Sequence, residues 1–209
     1  MRIAKWGNSL AVRLPAAVVE ALDLKDGDDI ELTVLDEKAL AVTRKPSRDE
    51  LIERLRAFRG RLPDDFKFDR DEANAGDFFD TNVLVYIASS RTPKADRAER
   101  LVRGGGVISV QVLNEIANVA RRKMRLSWPE TRAFLSLIRG LLPVEPITVR
   151  THETGLAIAE RYRLSVYDAM IAASALLAGC NRLWSEDMQN GLVIDRQLRI
   201  VDPFGSTAA

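Results

Sequence analysis

Asp77-Phe78-Phe79-Asp80-Thr81-Asn82-Val83-Leu84-Val85-Tyr86 sets one carboxylate, Asp80, inside an otherwise apolar run. A lone buried carboxylate raises its pKa and neutralises unless a cation or hydrogen-bond donors hold it charged. Three later acids share this setting. Glu115 lies in Val110-Gln111-Val112-Leu113-Asn114-Glu115-Ile116-Ala117-Asn118-Val119, where helical spacing puts it on one stripe with Val112, Ile116 and Val119. Asp168 opens an Ala-rich stretch to Gly179 that is apolar nearly all round and so reads as a buried helix. Asp187 follows a short strand-like segment in Leu183-Trp184-Ser185-Glu186-Asp187-Met188. Each has an ordinary structural reading: Asp168 and Asp187 as helix caps, Asp80 as a turn residue, Glu115 as a partner of Arg121 or Arg122. Together they suit a hard divalent cation, Mg²⁺ or Mn²⁺, which takes oxygen ligands and serves phosphodiester hydrolysis.

The surrounding pattern sets the fold class. Strand-like segments at residues 78–80, 107–110, 146–149, 182–184 and 198–201 alternate with helical stretches, the mark of an α/β domain with a mainly parallel sheet. In such a sheet the ligand site lies at the carboxyl ends of the strands, and Asp80 and Asp187 fall just past two of them.

Composition narrows the classes. A hydrophobic fraction of 46% is that of a globular core. The longest apolar stretch, near residues 169–179, is too short to span a bilayer, and the N-terminus has no charged and apolar leader pattern. The single Cys180 excludes a disulfide framework within one chain, and a cytoplasmic, reducing compartment is expected. The single His152, read as a surface residue, excludes a His-rich zinc site within one chain. Lys and Arg total 31 against 30 Asp and Glu, so any nucleic-acid surface must come from local segregation of charge.

Three pieces follow one another: residues 1–46, 47–76 and 77–209. The first reads as strands at 2–6 and 9–14 around a Gly7-Asn8 turn, a helix at 16–22 behind Pro15, and a hairpin of strands 30–35 and 39–44. So small a unit buries too little surface to stand alone, and a dimer is expected. In the second, Leu51, Ile52, Leu55 and Phe58 form the apolar stripe of a helix ending near Gly60. Beyond it, residues 62–74 are largely polar, with Phe66 and Phe68 the only aromatics and no helical or core period, and cannot pack on themselves.

Asp80-Thr81-Asn82-Val83-Leu84-Val85-Tyr86, Ser109 to Glu115, Tyr167 to Ala173 and Ser185-Glu186-Asp187-Met188 resemble the four acidic motifs of PIN-domain ribonucleases, in particular the VapC toxins of bacterial toxin-antitoxin pairs. The resemblance implies that Asp80, Glu115, Asp168 and Asp187 are the metal-binding, catalytic carboxylates, with Thr81, Asn82 and Ser185 as supporting polar residues. Lys5-Trp6-Gly7-Asn8-Ser9-Leu10-Ala11-Val12-Arg13-Leu14-Pro15 is similar to the opening of AbrB/MazE-type antitoxins, whose swapped-hairpin dimers bind operator DNA. The matching DNA-facing residues are Lys5, Asn8, Ser9 and Arg13; the alternative is a set of solvated charges. Residues 62–74 resemble the toxin-binding tails of such antitoxins, which implies that Phe66 and Phe68 anchor on the PIN domain and that Arg70 or Arg61 enters its acidic site. The combined expectation is a fused antitoxin and toxin: a homo-oligomer that binds operator DNA and cleaves RNA with a divalent metal, with no membrane partner. The rival is a DNA-binding regulator whose PIN-like domain is inactive and serves oligomerisation. A phosphatase of the haloacid dehalogenase type fits less well, because Asn82 stands where its second Asp would be.

Overall fold

The structure, a computed structural model, describes residues 3–36, 39–61, 76–89 and 92–205. Phe66, Phe68 and Arg70, and the expected turn at Glu37-Lys38, lie outside the described residues. The chain forms two compact units, Met1–Ser47 and Arg48–Ala209.

In the first unit β1 (Ile3–Trp6) and β2 (Ser9–Val12) form an antiparallel hairpin in which Lys5 faces Leu10 and Trp6 faces Ser9. Gly7 takes a φ of +58°, which a two-residue hairpin turn demands and which glycine adopts without cost. Pro15 caps α1 (Ala16–Ala21), and β3 (Ile30–Asp36) pairs antiparallel with β4 (Ala39–Arg44). Among the residues of this unit whose side chains are described, Val12, Val19, Ile30 and Leu32 are exposed.

The second unit opens with α2 (Arg48–Arg56) and continues through β5 (Asp77–Phe79), α3 (Thr81–Ile87), α4 (Pro93–Gly104), β6 (Ile108–Ser109), α5 (Val110–Arg122) and α6 (Trp128–Leu141). It ends with β7 (Val144–Glu145), α7 (Val149–Tyr162), α8 (Val166–Leu177), β8 (Arg182–Trp184), β9 (Val193–Ile194) and β10 (Leu198–Val201). Strands β5, β8 and β10 run parallel in that order, with β9 antiparallel at the edge. The parallel pair β6 and β7 joins β5 through a bridge between Phe78 and Val107. This is a mainly parallel sheet flanked by helices, preceded by a unit of antiparallel strands, the fold class that the sequence pattern led us to expect.

Two elements fall elsewhere than the pattern placed them. The strand expected at 146–149 lies at Val144–Glu145, because Thr148 caps α7: its hydroxyl accepts from Thr151 N at 3.1 Å, and Thr151 Oγ1 accepts from Thr148 N at 3.2 Å. A reciprocal cap outweighs the β-preference of Ile147 and Val149. The helix expected from Asp168 begins just before it, at Val166, since Ser165 is the cap and Asp168 sits in the first turn. Residues Ala169 to Ala175 are buried, as the all-round apolar pattern requires, and His152 is exposed. Helix α7 approaches α8 closely at Gly155, where a Cβ would fall 2.5 Å from Met170 Sδ.

Helix α2 belongs to the core of this unit. Leu51, Ile52 and Leu55 are buried within the cluster that holds Phe78, Phe134 and Ile138. Arg48 donates to Val102 O at 2.9 Å and Leu141 O at 2.8 Å, so one guanidinium satisfies end carbonyls of both α4 and α6. Arg56 grips buried Glu99 in a two-pronged pair at 3.0 and 2.7 Å, and Arg59 also donates to Glu99. Phe58 packs on Phe134 with ring centroids 5.1 Å apart.

Candidate functional site

Asp80 stands at the carboxyl end of β5, where it caps α3. Its Oδ1 accepts from Thr81 N at 2.6 Å, and its Oδ2 accepts from Ser185 Oγ at 2.5 Å and Asn82 Nδ2 at 3.0 Å. Ser185 follows β8, the strand that pairs with β5, so the parallel register brings together two residues that lie 105 positions apart. Asp80, Thr81, Asn82 and Ser185 are all buried.

Glu115 reaches the same place from α5. Its side chain is half-buried beside the stripe of Val112, Ile116 and Ala120, and accepts from Thr81 Oγ1 at 2.7 Å and Gln111 Nε2 at 2.9 Å. These are its partners in place of Arg121 and Arg122, the pairs that ordinary surface behaviour would give. Asp168, half-buried at the start of α8, accepts from Ser165 Oγ at 2.8 Å. Asp187 is exposed in the loop after β8, and no helix follows it for it to cap before β9. The loop is pinned between Ser185 and Asp187 by Glu186, whose side chain is only 1% exposed and accepts from Lys94 Nζ at 2.5 Å. Lys94 in turn lies over the rings of Tyr86 and Phe204, at 5.1 and 4.9 Å from their centroids.

Burial, followed by the nearby charges of Glu115 and Asp168, pushes Asp80 up to about 6, against the hydrogen bonds of Ser185 and Thr81. That repulsion marks three carboxylates facing a common space. As the side chains stand, no three His, Cys, Asp or Glu residues among those described come within joint reach of one ion. Glu115 and Asp168 each hold a hydrogen bond within their own helix instead. The donor set is nonetheless all oxygen and anionic, the chemistry of a hard-cation site. Sequence reasoning missed Gln111, Ser165, Glu186 and Lys94. Gln111 was readable as the i−4 neighbour of Glu115 and Ser165 as the i−3 neighbour of Asp168; the Lys94 pairing spans 92 positions and had no local signal.

Asp77 is likewise pushed up to about 6 by burial, despite the 2.7 Å bond from Arg182. Both groups hold their proton more tightly folded than unfolded, so each stabilises the fold fully below pH ~4 and loses that contribution as pH rises through 6. The metal-free chain is therefore expected to be more stable at pH 5 than at pH 7.5, by roughly 1.4 kcal/mol per carboxylate, since about one pKa unit of each shift lies between pH 5 and 6. Thermal scans in chelator check this, and a midpoint that rises steadily from pH 5 to 7.5 refutes it.

At the first unit, Lys5, Asn8, Ser9 and Arg13 are all exposed. Strand alternation puts Lys5 and Ser9 on opposite faces of the hairpin. Arg13, with Ala4, Leu14, Pro15 and Val19, lines an open groove beside α1. Arg61, the other candidate for entering the acidic site, pairs with Glu130 at 3.1 Å in the first turn of α6.

The PIN domain model matches residues 78–189, more than half of the chain. The chain belongs to the PIN-domain family. The model described as antidote-toxin recognition MazE, bacterial antitoxin, matches residues 3–50, so a MazE antitoxin domain precedes the PIN domain in one polypeptide. PIN domains are generally divalent-metal-dependent nucleases. Among curated proteins none matches the chain. The similar solved structures include three toxins or toxin-antitoxin complexes. A toxin-antitoxin complex from Klebsiella pneumoniae has 26% identity and a TM-score of 0.41, over 51% of this chain and 82% of that one. The VapC20 toxin of Mycobacterium tuberculosis, which cleaves the Sarcin-Ricin loop, has 22% identity and a TM-score of 0.44, over 51% and 86%. VapBC2 from Rickettsia felis, bound to a DNA fragment from its promoter, has 18% identity and a TM-score of 0.42, over 60% and 98%. Among the described residues no helix is long and apolar enough to cross a membrane.

Proposed function

We propose that this chain is a self-neutralised endoribonuclease that also binds its own operator. The observation that carries the reading is Asp80: a buried carboxylate at the carboxyl end of a parallel strand, held by Thr81, Asn82 and Ser185 and repelled by Glu115 and Asp168. Asp80, Glu115 and Asp168, with Asp187 at the open rim, are the residues that would hold Mg²⁺ or Mn²⁺. Bound there, a divalent ion supplies Lewis acidity and an activated water for phosphodiester hydrolysis. The chain's own part is to fix Asp80 through Ser185 and Thr81, and to keep Glu115 aligned through Thr81 and Gln111. No histidine is required for this chemistry.

Neutralisation is assigned to the tail, through Phe66 and Phe68 and an arginine, Arg70 or Arg61, that lends the site a positive charge. A tethered inhibitor acts at an effective concentration on the order of millimolar, enough to keep the nuclease off. Phe66→Ala with Phe68→Ala should release Mg²⁺- or Mn²⁺-dependent cleavage of total RNA by the full chain. If the double variant stays silent with either metal present, the tail is not the inhibitor or the site is not a nuclease. The within-helix hydrogen bonds of Glu115 and Asp168 favour a second reading, an inactive PIN domain serving oligomerisation; cleavage by the double variant excludes it, and silence both of that variant and of a folded, tail-free fragment beginning at residue 77 supports it.

Operator binding is assigned to the hairpin. The exposed Val12, Val19, Ile30 and Leu32 and the small size of the first unit support a dimer, which would present Lys5, Asn8, Ser9 and Arg13 twice across a two-fold axis. Arg13→Ala should weaken operator binding. Lys5→Ala should weaken binding about equally across sequences and flatten the salt dependence by roughly one unit for each phosphate no longer neutralised. Mobility shifts over a salt series read both, and an unchanged slope in Lys5→Ala counts against the hairpin as the DNA surface.

A further inference from the structure

The turn between α5 and α6 gathers positive charge and an aromatic ring that the acidic site does not use. Between residues 116 and 144 there are six basic residues and one acid, in a chain whose formal net charge is only +1. The one acid, Glu130, is already paired with Arg61. Arg122, Lys123, Arg125 and Arg132 are exposed, and among the described residues none of them pairs with an acid. Trp128 falls between Arg125 and Arg132 in the chain, with 59% of its surface exposed. Arg121 lies over its ring at 4.7 Å from the centroid and also donates to Leu126 O, so the guanidinium is held as a backing plate to the indole. Arg132 is one turn further along α6 on the same face as Trp128.

Arg125 adds a separate observation. Its φ is +54°, a left-handed conformation that glycine or asparagine takes cheaply and arginine does not. The turn accepts that strain and carries a further exposed cation three residues before Trp128 in the chain.

We propose that Trp128, backed by Arg121 and ringed by Arg122, Lys123, Arg125 and Arg132, is a docking site for single-stranded RNA next to the cleavage site. The proposal rests on the nuclease reading only for the choice of RNA as occupant. An exposed aromatic beside a basic track is what single strands bind without sequence preference, the ring stacking a base and the cations tracking phosphates. Helix α5 supplies the path: Glu115, Asn118 and Arg122 follow one another at i, i+3 and i+7 on one face. Seven residues of helix rise about 10 Å, so Arg122 lies about that far along the helix from the acidic site. The location has an electrostatic reason as well. Carboxylates clustered at the cleavage site repel a polyanion, and cations one or two helical turns away restore the attraction that brings it in.

The test measures binding, not cleavage. Fluorescence anisotropy of a labelled single-stranded RNA is read with the full chain carrying Asp80→Asn, with excess duplex DNA present to occupy the hairpin surface. Adding Trp128→Ala should weaken RNA binding roughly tenfold, while Trp128→Phe, which keeps a ring, should keep most of the affinity. Arg122→Ala with Lys123→Ala should weaken it and flatten its salt dependence. The site is refuted if Trp128→Ala binds as tightly as its parent, if the chain binds no RNA, or if Trp128→Ala alters the oligomeric state and leaves RNA affinity alone. The two readings fail separately. RNA binding through Trp128, with no cleavage once Phe66→Ala and Phe68→Ala are introduced beside an intact Asp80, would sink the nuclease and spare the site; cleavage by that released chain with no effect of Trp128 on affinity would do the reverse.

Discussion

Asp80→Asn should abolish metal-dependent RNA cleavage in a chain released by Phe66→Ala and Phe68→Ala, while the fold stays intact. The amide keeps the size of the side chain, and its oxygen can still accept from Thr81 N or Ser185 Oγ. It removes the charge on which a hard cation depends. Metal assistance is worth several kcal/mol of transition-state stabilisation, so the loss should be on the order of a thousandfold or more. The structure adds a second expected result. Glu115 and Asp168 repel Asp80, and burial penalises its charge, so the neutral amide should raise the melting temperature of the metal-free chain at pH 7.5. It should also shrink the difference between pH 5 and pH 7.5. Glu115→Gln and Asp168→Asn should abolish cleavage too. Asp187→Asn should do least harm, because Asp187 is exposed at the rim. Retained cleavage by purified Asp80→Asn protein would overturn the assignment.

The second large effect lies far from the acids. Ile52→Ala and Leu55→Ala should each cost roughly 2–5 kcal/mol, since both side chains are fully buried in the core of the second unit. Domains have only about 5–15 kcal/mol of total stability, so the pair together should leave little of it. Glu99→Ala should cost less, about 1–3 kcal/mol, because Arg56 and Arg59 are partly exposed and keep Glu53 and Asp96 as partners. Chemical denaturation of the full chain, followed by Trp fluorescence and by circular dichroism, measures each. A variant that unfolds at the parental midpoint would mean that α2 is an appendage. The same packing bears on any attempt to study the nuclease alone: a fragment beginning at residue 77 would expose the seat of Leu51, Ile52 and Leu55, whereas one beginning at Arg48 keeps it filled.

Local chemistry made much of this legible in advance. Asp80 stood out because a carboxylate in an apolar run must be held by something, and the structure gives it three donors, two of which, Thr81 and Asn82, are its immediate successors in the chain. The hairpin turn at Gly7-Asn8 and the buried helix after Asp168 followed from residue type and period. The misplacements were also local in origin. Thr148 and Thr151 form a reciprocal cap that can be read only once both hydroxyls are known to turn inward, and until then Ile147 and Val149 look like strand residues. Ser165 took the cap that could have gone to Asp168, and its hydroxyl also donates to the Asp168 carboxylate.

By itself the sequence determined the order of the parts: a hairpin-rich antitoxin segment, an amphipathic helix and an α/β domain with four acids at its strand and helix ends. These are consequences of short-range physics, in which propensity, period and turn chemistry act within a few residues. The apolar stripe of α2 was visible, but its partner was not. Only the tertiary structure decided that Leu51, Ile52 and Leu55 would fill the core beside Phe134, and that Arg56 and Arg59 would close on Glu99 some forty positions away. It alone brought Ser185 to Asp80 and Lys94 to Glu186, because strand register and helix packing are set by the burial of the whole core. No run of neighbouring residues records a contact whose energy comes from excluding water between distant segments.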